Sequence, residues 1–373
     1  MKRFTALAAA VALAVSLCAC TPRAGTDSGR LRVVCTLFPY YDFVRQIGGE
    51  DVDVTLLVPA GRETHSFEPT PLDVITISEA EVFVYNGGES ETWVEDILSA
   101  AGENIPYRLA MMDCVETRAE EFAEGMQGGH DHDDHDDHDE HDEHDEHDEH
   151  DDHDDHDDHD DHDDHDDHDD HDDHDDHDDH DDHDDHDGHL HDGHEEEIEY
   201  DEHIWTSPVN AMALCRALCD TLCQADPDNA DGYRARLEAY LVQLQTLDGT
   251  FREIVEDGTR RLVVFGDRFP LLYFCREYGL DYRAAFHGCA GDTEPSLATL
   301  KYLIDLVNEQ HIPVVYTIEL SSRKVANAIA ETTGAQVRTF HSCQTVSRGE
   351  FDGGATYISL MTANAAALKE GLA

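Results

Sequence analysis

The chain has 373 residues and a formal net charge of −62, from 86 acids against 24 Lys plus Arg. Such a surface repels phosphate backbones and anionic headgroups, which argues against nucleic acid as a partner and favours a cationic ligand. Much of the charge is local: the 65 positions from His130 to His194 hold 23 His and 39 acids, yet outside them 47 acids still face 24 bases.

In chain order, Lys2 and Arg3 precede an apolar run that ends Leu17-Cys18-Ala19-Cys20. This reads as an export signal over residues 1–19. The ending resembles a lipobox, in which Cys20 fits the lipidated position better than Cys18, with 20–30 as lipidated Cys and tether. No other stretch approaches the ~20 apolar residues of a membrane span. The expectation is therefore a protein lipid-anchored to the outer face of the cell membrane. Beyond the tether, LRVVC reads as a strand running into a helix closed at Gly48, and DVDVTLLVPAG as a second strand. A loop with His65 leads to a helix delayed by Pro69 and Pro71. EVFVYNGG is a strand, ETWVEDILSA a helix and IPYRLAMMDC a further strand. Strands alternating with helices imply parallel pairing in an α/β lobe.

Residues 130–194 interrupt that lobe. Their composition offers almost nothing to bury, so they cannot offset the entropy of ordering and are expected to be disordered. A helical segment from Pro208 to about Cys223 follows, with Cys215, Cys219 and Cys223 on one face, where packing explains them better than thiolate ligation. A longer helix then carries Tyr233, Leu237, Tyr240, Leu241, Leu244, Leu247, Phe251 and Ile254 at helical spacing. A second alternating pattern runs from RLVVFGD to the closing helix ATYISLMTANAAALKEGL. The expected fold class is α/β: two lobes of mostly parallel sheet with flanking helices, joined by one long rigid helix. The lobes are expected at 31–224 and 258–373, with 225–257 as the link, and any ligand in the cleft between them.

Five histidines lie outside the tract: His65, His203, His287, His311 and His341. His65 and His341 stand where strands give way to loops, and His203 follows the tract in DEHIWTSP. Ligands gather at the carboxyl ends of parallel strands. Asp267, ending RLVVFGD, holds an equivalent place. Three imidazoles and a carboxylate form a tetrahedral set suited to Zn²⁺. His311, in EQHIP, reads as structural. Cys289 and Cys343 each lie near a histidine, and a disulfide between them is one option.

At TLFPYYDFVRQIGG, ETHSFEPTPLD, DEHIWTSP, YFCREYGL and FHSCQTVSRGEFDGGATYISLMTAN the chain resembles the metal-binding lipoproteins of ABC-type importers for zinc and manganese, the cluster A-I solute-binding proteins, and within them the zinc branch. The resemblance runs from about Arg32 to Leu372, apart from the tract. It implies a bilobal fold with metal held by one residue from each of four loops. His65 and His203 match ligand positions directly. His341 stands where many relatives have aspartate, a change that favours zinc. At the third position relatives place His or Glu, and this chain has Arg268, which stays protonated and cannot ligate. Asp267, one residue earlier, and His287 are the alternatives, and Glu319 matches an acidic position near the site as supporting partner or substitute ligand.

The function expected is extracytoplasmic high-affinity capture of Zn²⁺, carried as cargo, and its delivery to a membrane permease with a cytoplasmic ATPase. The carrier is expected to be a monomer, with the tract as a low-affinity capture segment. A surface zinc buffer or chaperone without transport and a manganese or iron importer are the alternatives. An enzyme is not expected: HExxH is absent, since Ile198 follows His194-Glu195 where the second His belongs, and no G-x-S-x-G, P-loop or G-x-G-x-x-G occurs.

Overall fold

A computed structural model of the chain describes residues 29–101, 105–126, 199–288 and 295–373. Cys18, Cys20, the tract and Cys289 lie outside the described residues. The first sheet is built of β1 (Leu31–Cys35), β2 (Val52–Leu56), β3 (Val82–Tyr85) and β4 (Tyr107–Ala110), in the order β2-β1-β3-β4. The second holds β5 (Leu262–Phe269), β6 (Asp281–His287), β7 (Val314–Thr317) and β8 (Gln336–Thr339), ordered β6-β5-β7-β8. Every pairing within them is parallel. Parallel strands need crossovers, and helices supply them. In chain order the α-helices of the described residues are α1 (Phe38–Gly48), α2 (Pro71–Ser78), α3 (Trp93–Ala101), α4 (Pro208–Ala225), α5 (Ala230–Asp257), α6 (Leu272–Tyr278), α7 (Leu297–Glu309), α8 (Lys324–Thr333), α9 (Arg348–Asp352) and α10 (Tyr357–Leu372), of which α1 to α3 and α6 to α8 are the crossovers within the sheets.

Period-2 alternation sorts the strand side chains into separate layers. Val33, Val84 and Phe265 face a central core shared by both sheets, while Val34 and Phe83 face an outer cluster on the first sheet and Val264 an outer cluster on the second. The 28-residue α5, about 42 Å long at 1.5 Å per residue, buries Tyr233, Leu237, Tyr240, Leu244, Leu247 and Phe251 in that central core. It lies against α1 and α4 on one part and α6 and α10 on another, so one rod supports both sheets. Cys215, Cys219 and Cys223 are free and buried along one face of α4.

Helix starts follow cap chemistry. Ser207 accepts from the amides of Val209 and Asn210, with Pro208 in the first turn, and Thr70 and Thr356 close capping boxes with Asp73 and Ser359. Two features depart from the sequence reading. The strand begun by RLVVFGD runs on to Phe269 through a register shift between Phe265 and Arg268, because the Arg268 and Phe269 backbones keep pairing with Phe286 and His287. Helix α9 was not anticipated. Ser347 and Glu350 cap it reciprocally, which suffices for a single turn of helix.

The two halves are also tied by a buried carboxylate. Asp42 of α1 is fully buried and accepts the Tyr357 amide, the first of α10, at 2.8 Å and the Gln46 side chain at 3.1 Å. Replacing Asp42 with Ala strands that amide in the core. The expected loss is about 2–3 kcal/mol of unfolding free energy by urea denaturation, and an unchanged midpoint contradicts the assignment.

Candidate metal centre

The loop after β3 brings the two first-lobe histidines together. Asn86 donates its amide to the Glu202 carbonyl at 3.0 Å, and the Ser90 amide donates to the Glu202 carboxylate at 2.8 Å. Glu91 secures the base of this loop, accepting the amides of Asn86 at 2.7 Å and Gly87 at 3.1 Å. Tyr40 donates its hydroxyl to the Asn86 side-chain oxygen. Gly88 has φ +95°, and a Cβ on it would stand 2.7 Å from a Glu202 oxygen, so both conformation and space require glycine. With Glu202 fixed, His203 follows. Its ring lies 5.6 Å from that of His65, centroid to centroid, at 60°.

Each ring has its Nδ1 committed to a neighbouring side chain, Ser90 for His65 and Asp201 for His203. The Nδ1 of His65 lies 2.9 Å from Ser90 Oγ and its Nε2 3.2 Å from the Gln344 side-chain nitrogen. One tautomer satisfies both: Nδ1–H donates to Ser90 and the Nε2 lone pair accepts from Gln344. His203 is fully buried, with Nδ1 3.2 Å from Asp201 Oδ1, which also accepts the His203 amide at 2.8 Å. A donating Nδ1–H leaves the lone pair on His203 Nε2, and that atom is buried with no hydrogen-bond partner. A carboxylate behind an imidazole fixes its tautomer and raises its basicity, as metal sites require. Gly288 flanks the Cε1 and Nδ1 atoms of this ring, where a Cβ would stand 3.3 Å from His203 Cε1.

The electrostatics divide the pair. Burial, reinforced by the neighbouring His203, pushes the His65 pKa down to about 4. Burial also opposes charge on His203, but Asp201 outweighs it and raises that pKa. At neutral pH His65 therefore offers a free base, and an incoming cation need not displace a proton from it.

The second-lobe candidates are engaged elsewhere. Asp267 accepts the amides of Arg268 at 2.9 Å and Ile318 at 3.3 Å, so its carboxylate joins β5 to the end of β7. His341 Nδ1 accepts the Cys343 amide at 2.9 Å, which puts the proton of the neutral ring on Nε2, a buried atom with no hydrogen bond but with Glu350 Oε1 3.9 Å away. Glu319 accepts the Ser342 amide at 2.7 Å and its hydroxyl, holding the turn that carries His341. His287 Nδ1 meets Glu120 at 3.0 Å, and this hydrogen bond raises its pKa although burial opposes the charge. Among the described residues, no group of three or more His, Cys, Asp or Glu side chains stands ready for a metal. His65 and His203 are thus brought together, whereas Asp267, His287, His341 and Glu319 each keep a protein partner.

Several residues that shape the site escaped the sequence reading. Trp205 is fully buried and donates its indole N–H to the Ser342 carbonyl at 2.8 Å, joining the His203 loop to the His341 loop. Asn86 and Ser90 sit in NGGESE at the carboxyl end of a central strand, a position that could have flagged them. Asp201, two residues before His203, was visible as a carboxylate beside an imidazole. Gln344 gave no local signal.

Residues 33–371 match the family model described as ZnuA, zinc-uptake complex component A, periplasmic. The chain belongs to the ZnuA family. This family is a transport component outside the cytoplasm and not an enzyme. The chain is 29% identical over 349 residues to the high-affinity zinc uptake system protein ZnuA of Bacillus subtilis, covering 94% of this chain and 90% of that protein. It is 27% identical over 371 residues to the zinc-binding lipoprotein AdcA of Streptococcus pneumoniae, covering 99% of this chain but 61% of that protein. The chain thus spans about three-fifths of the pneumococcal relative. The metal-dependent lipoprotein YcdH of Bacillus subtilis superposes with TM-score 0.65 at 26% identity, over 92% of this chain and 100% of that one. The Zn(II)-bound ZnuA-like domain of pneumococcal AdcA does so with TM-score 0.64 at 23% identity, over 92% and 99%, and there the likeness is one of fold. No helix among the described residues is long and apolar enough to cross a membrane.

The His65 shift predicts a pH dependence. Its folded pKa of about 4 lies below the ordinary value of 6.5, so between the two the unfolded chain binds more protons. His65 then costs no stability above about pH 6.5 and an increasing amount as pH falls toward 4. Imidazole NMR of the metal-free chain should show His65 neutral at pH 5.5. A midpoint near 6.5 contradicts the burial argument.

Proposed function

We propose that this chain captures Zn²⁺ outside the cytoplasm and delivers it to the permease of an ABC importer with a cytoplasmic ATPase. The observation that carries the reading is the His65–His203 pair, two imidazoles 5.6 Å apart. One has a buried, bare Nε2, and the other is capped only by a neutral amide. Zn–N bonds of about 2.0–2.1 Å fit two such rings on one ion, and neutral imidazole suits zinc better than manganese. Family membership over residues 33–371 and relatives named for zinc uptake support the same reading.

His65 and His203 are the first-lobe ligands in this proposal. The second lobe, residues 258–373 beyond a linking segment at 225–257, completes the shell as the cargo enters. Asp267 joins by releasing Ile318, and His341 by turning off the Cys343 amide, with Glu319 or His287 as further donors. A shell split between lobes can be emptied by a modest lobe movement, which a carrier needs and a closed structural site does not. The chain acts as a monomer held at the outer membrane face by a lipid on Cys20. The His- and Asp-rich tract collects zinc weakly through many imidazoles in a negative field.

Competition against a chelator tests both parts. The chain lacking 130–194 should keep one tight zinc, the full chain should bind several more weakly, and His65→Ala or His203→Ala in the shortened chain should lose at least about 100-fold in affinity. Shortened variants that bind as the unsubstituted chain does would remove the site from this cleft. Equal stoichiometry with and without the tract would remove its capture role.

A further inference from the structure

The position where the family resemblance places a third ligand carries Arg268, and its side chain does not point idly away. Its Nη2 donates to Glu63 Oε2 at 2.9 Å, reaching from the end of β5 in the second lobe to the loop of the first lobe that bears His65 two residues later. The Arg268 side chain is 17% exposed and that of Glu63 43%. Close by, Gln344 caps His65 Nε2, the Gln344 carbonyl accepts the Phe38 amide at 3.4 Å, and the Val346 carbonyl accepts the Gly61 amide at 2.7 Å. The cleft is therefore already bridged by the protein's own groups, one of them a permanent cation.

We propose that Arg268 is a tethered cation that stands in for the cargo: docked on Glu63 beside His65, it holds the lobes together in the metal-free chain and lowers the affinity of the site for a divalent ion. This rests on the zinc-carrier reading and goes beyond it by naming the residue that sets affinity. Two effects compete when the guanidinium is removed. Losing a half-exposed ion pair weakens closure, worth at most about fivefold in an equilibrium constant. Losing a unit charge near a doubly charged ion in a partly buried cleft is worth on the order of tenfold or more. The charge effect wins. The functional sense is release: a carrier that hands its cargo on gains from a resident cation ready to reclaim Glu63.

The test uses the full chain with Arg268→Gln, which keeps a donor but no charge, Arg268→Lys, which keeps the charge, and Glu63→Gln. Zinc affinity by chelator competition should tighten about tenfold in R268Q and stay near native in R268K. Hydrogen exchange of the Gly61 and Phe38 amides, measured without metal, should quicken in R268Q and E63Q and return toward native protection when zinc is added to R268Q. Native affinity together with native exchange in R268Q overturns the proposal, as does R268K behaving like R268Q in both. If neither the native chain nor R268Q binds zinc better than a chain with His65→Ala and His203→Ala, the carrier reading falls. The exchange rates of the metal-free chains then decide whether Arg268 closes the cleft.

Discussion

The contact on which the rest depends is the hold that Asn86 and Ser90 keep on Glu202. A short loop at the end of β3 grips both the carbonyl and the carboxylate of that residue, at 3.0 Å and 2.8 Å. The next residue is His203, and the same Ser90 receives the ring of His65. Two imidazoles from remote parts of the chain thereby share one small bracket. Its rigidity comes from burial: Asn86, Glu91, Glu202 and His203 are all buried. In such surroundings an unmade hydrogen bond costs more than a made one contributes, so the network holds one arrangement.

From that bracket the ties run into the second sheet. Trp205 reaches Ser342, and Tyr357 donates its hydroxyl back to the Trp205 carbonyl at 2.8 Å. The histidine loops of the two lobes are thus linked through a fully buried indole. A carrier faces two opposed demands, to hold a cation tightly and to let it go. Here the first-lobe pair is preorganised, while the second lobe is engaged with itself, through Asp267 on Ile318 and His341 on Cys343, and with the first lobe, through Arg268 on Glu63. In the carrier proposed above, completing the metal shell breaks some of those bonds and release of the cargo re-forms them, a balance that favours turnover over retention.

Much of the fold was legible because its signals are local. Apolar runs such as VVYT, helices closed at Gly279 and Gly334 in left-handed conformation, and the spacing of aromatic and leucine residues along α5 all act within a few residues of where they are read. The site was legible where a motif carries it, as with His203 in DEHIWTSP, although the orienting role of Asp201 two residues before it was not read. What stayed hidden depends on partners far along the chain. Nothing near Asp267 announces that its carboxylate will meet the Ile318 amide, or that β5 continues to Phe269 through a register shift. Nothing near Arg268 announces Glu63, and nothing near Gln344 announces His65. The closure of the cleft is a property of pairs, and single residues do not display it.

The central claim is that one cation lies between His65 and His203. Anomalous diffraction at the zinc edge from crystals of the zinc-loaded chain tests it most directly. The account predicts one dominant peak about 2.0–2.1 Å from the Nε2 atoms of both rings. A cleft without a peak, or a dominant peak beyond bonding reach of either ring, contradicts it.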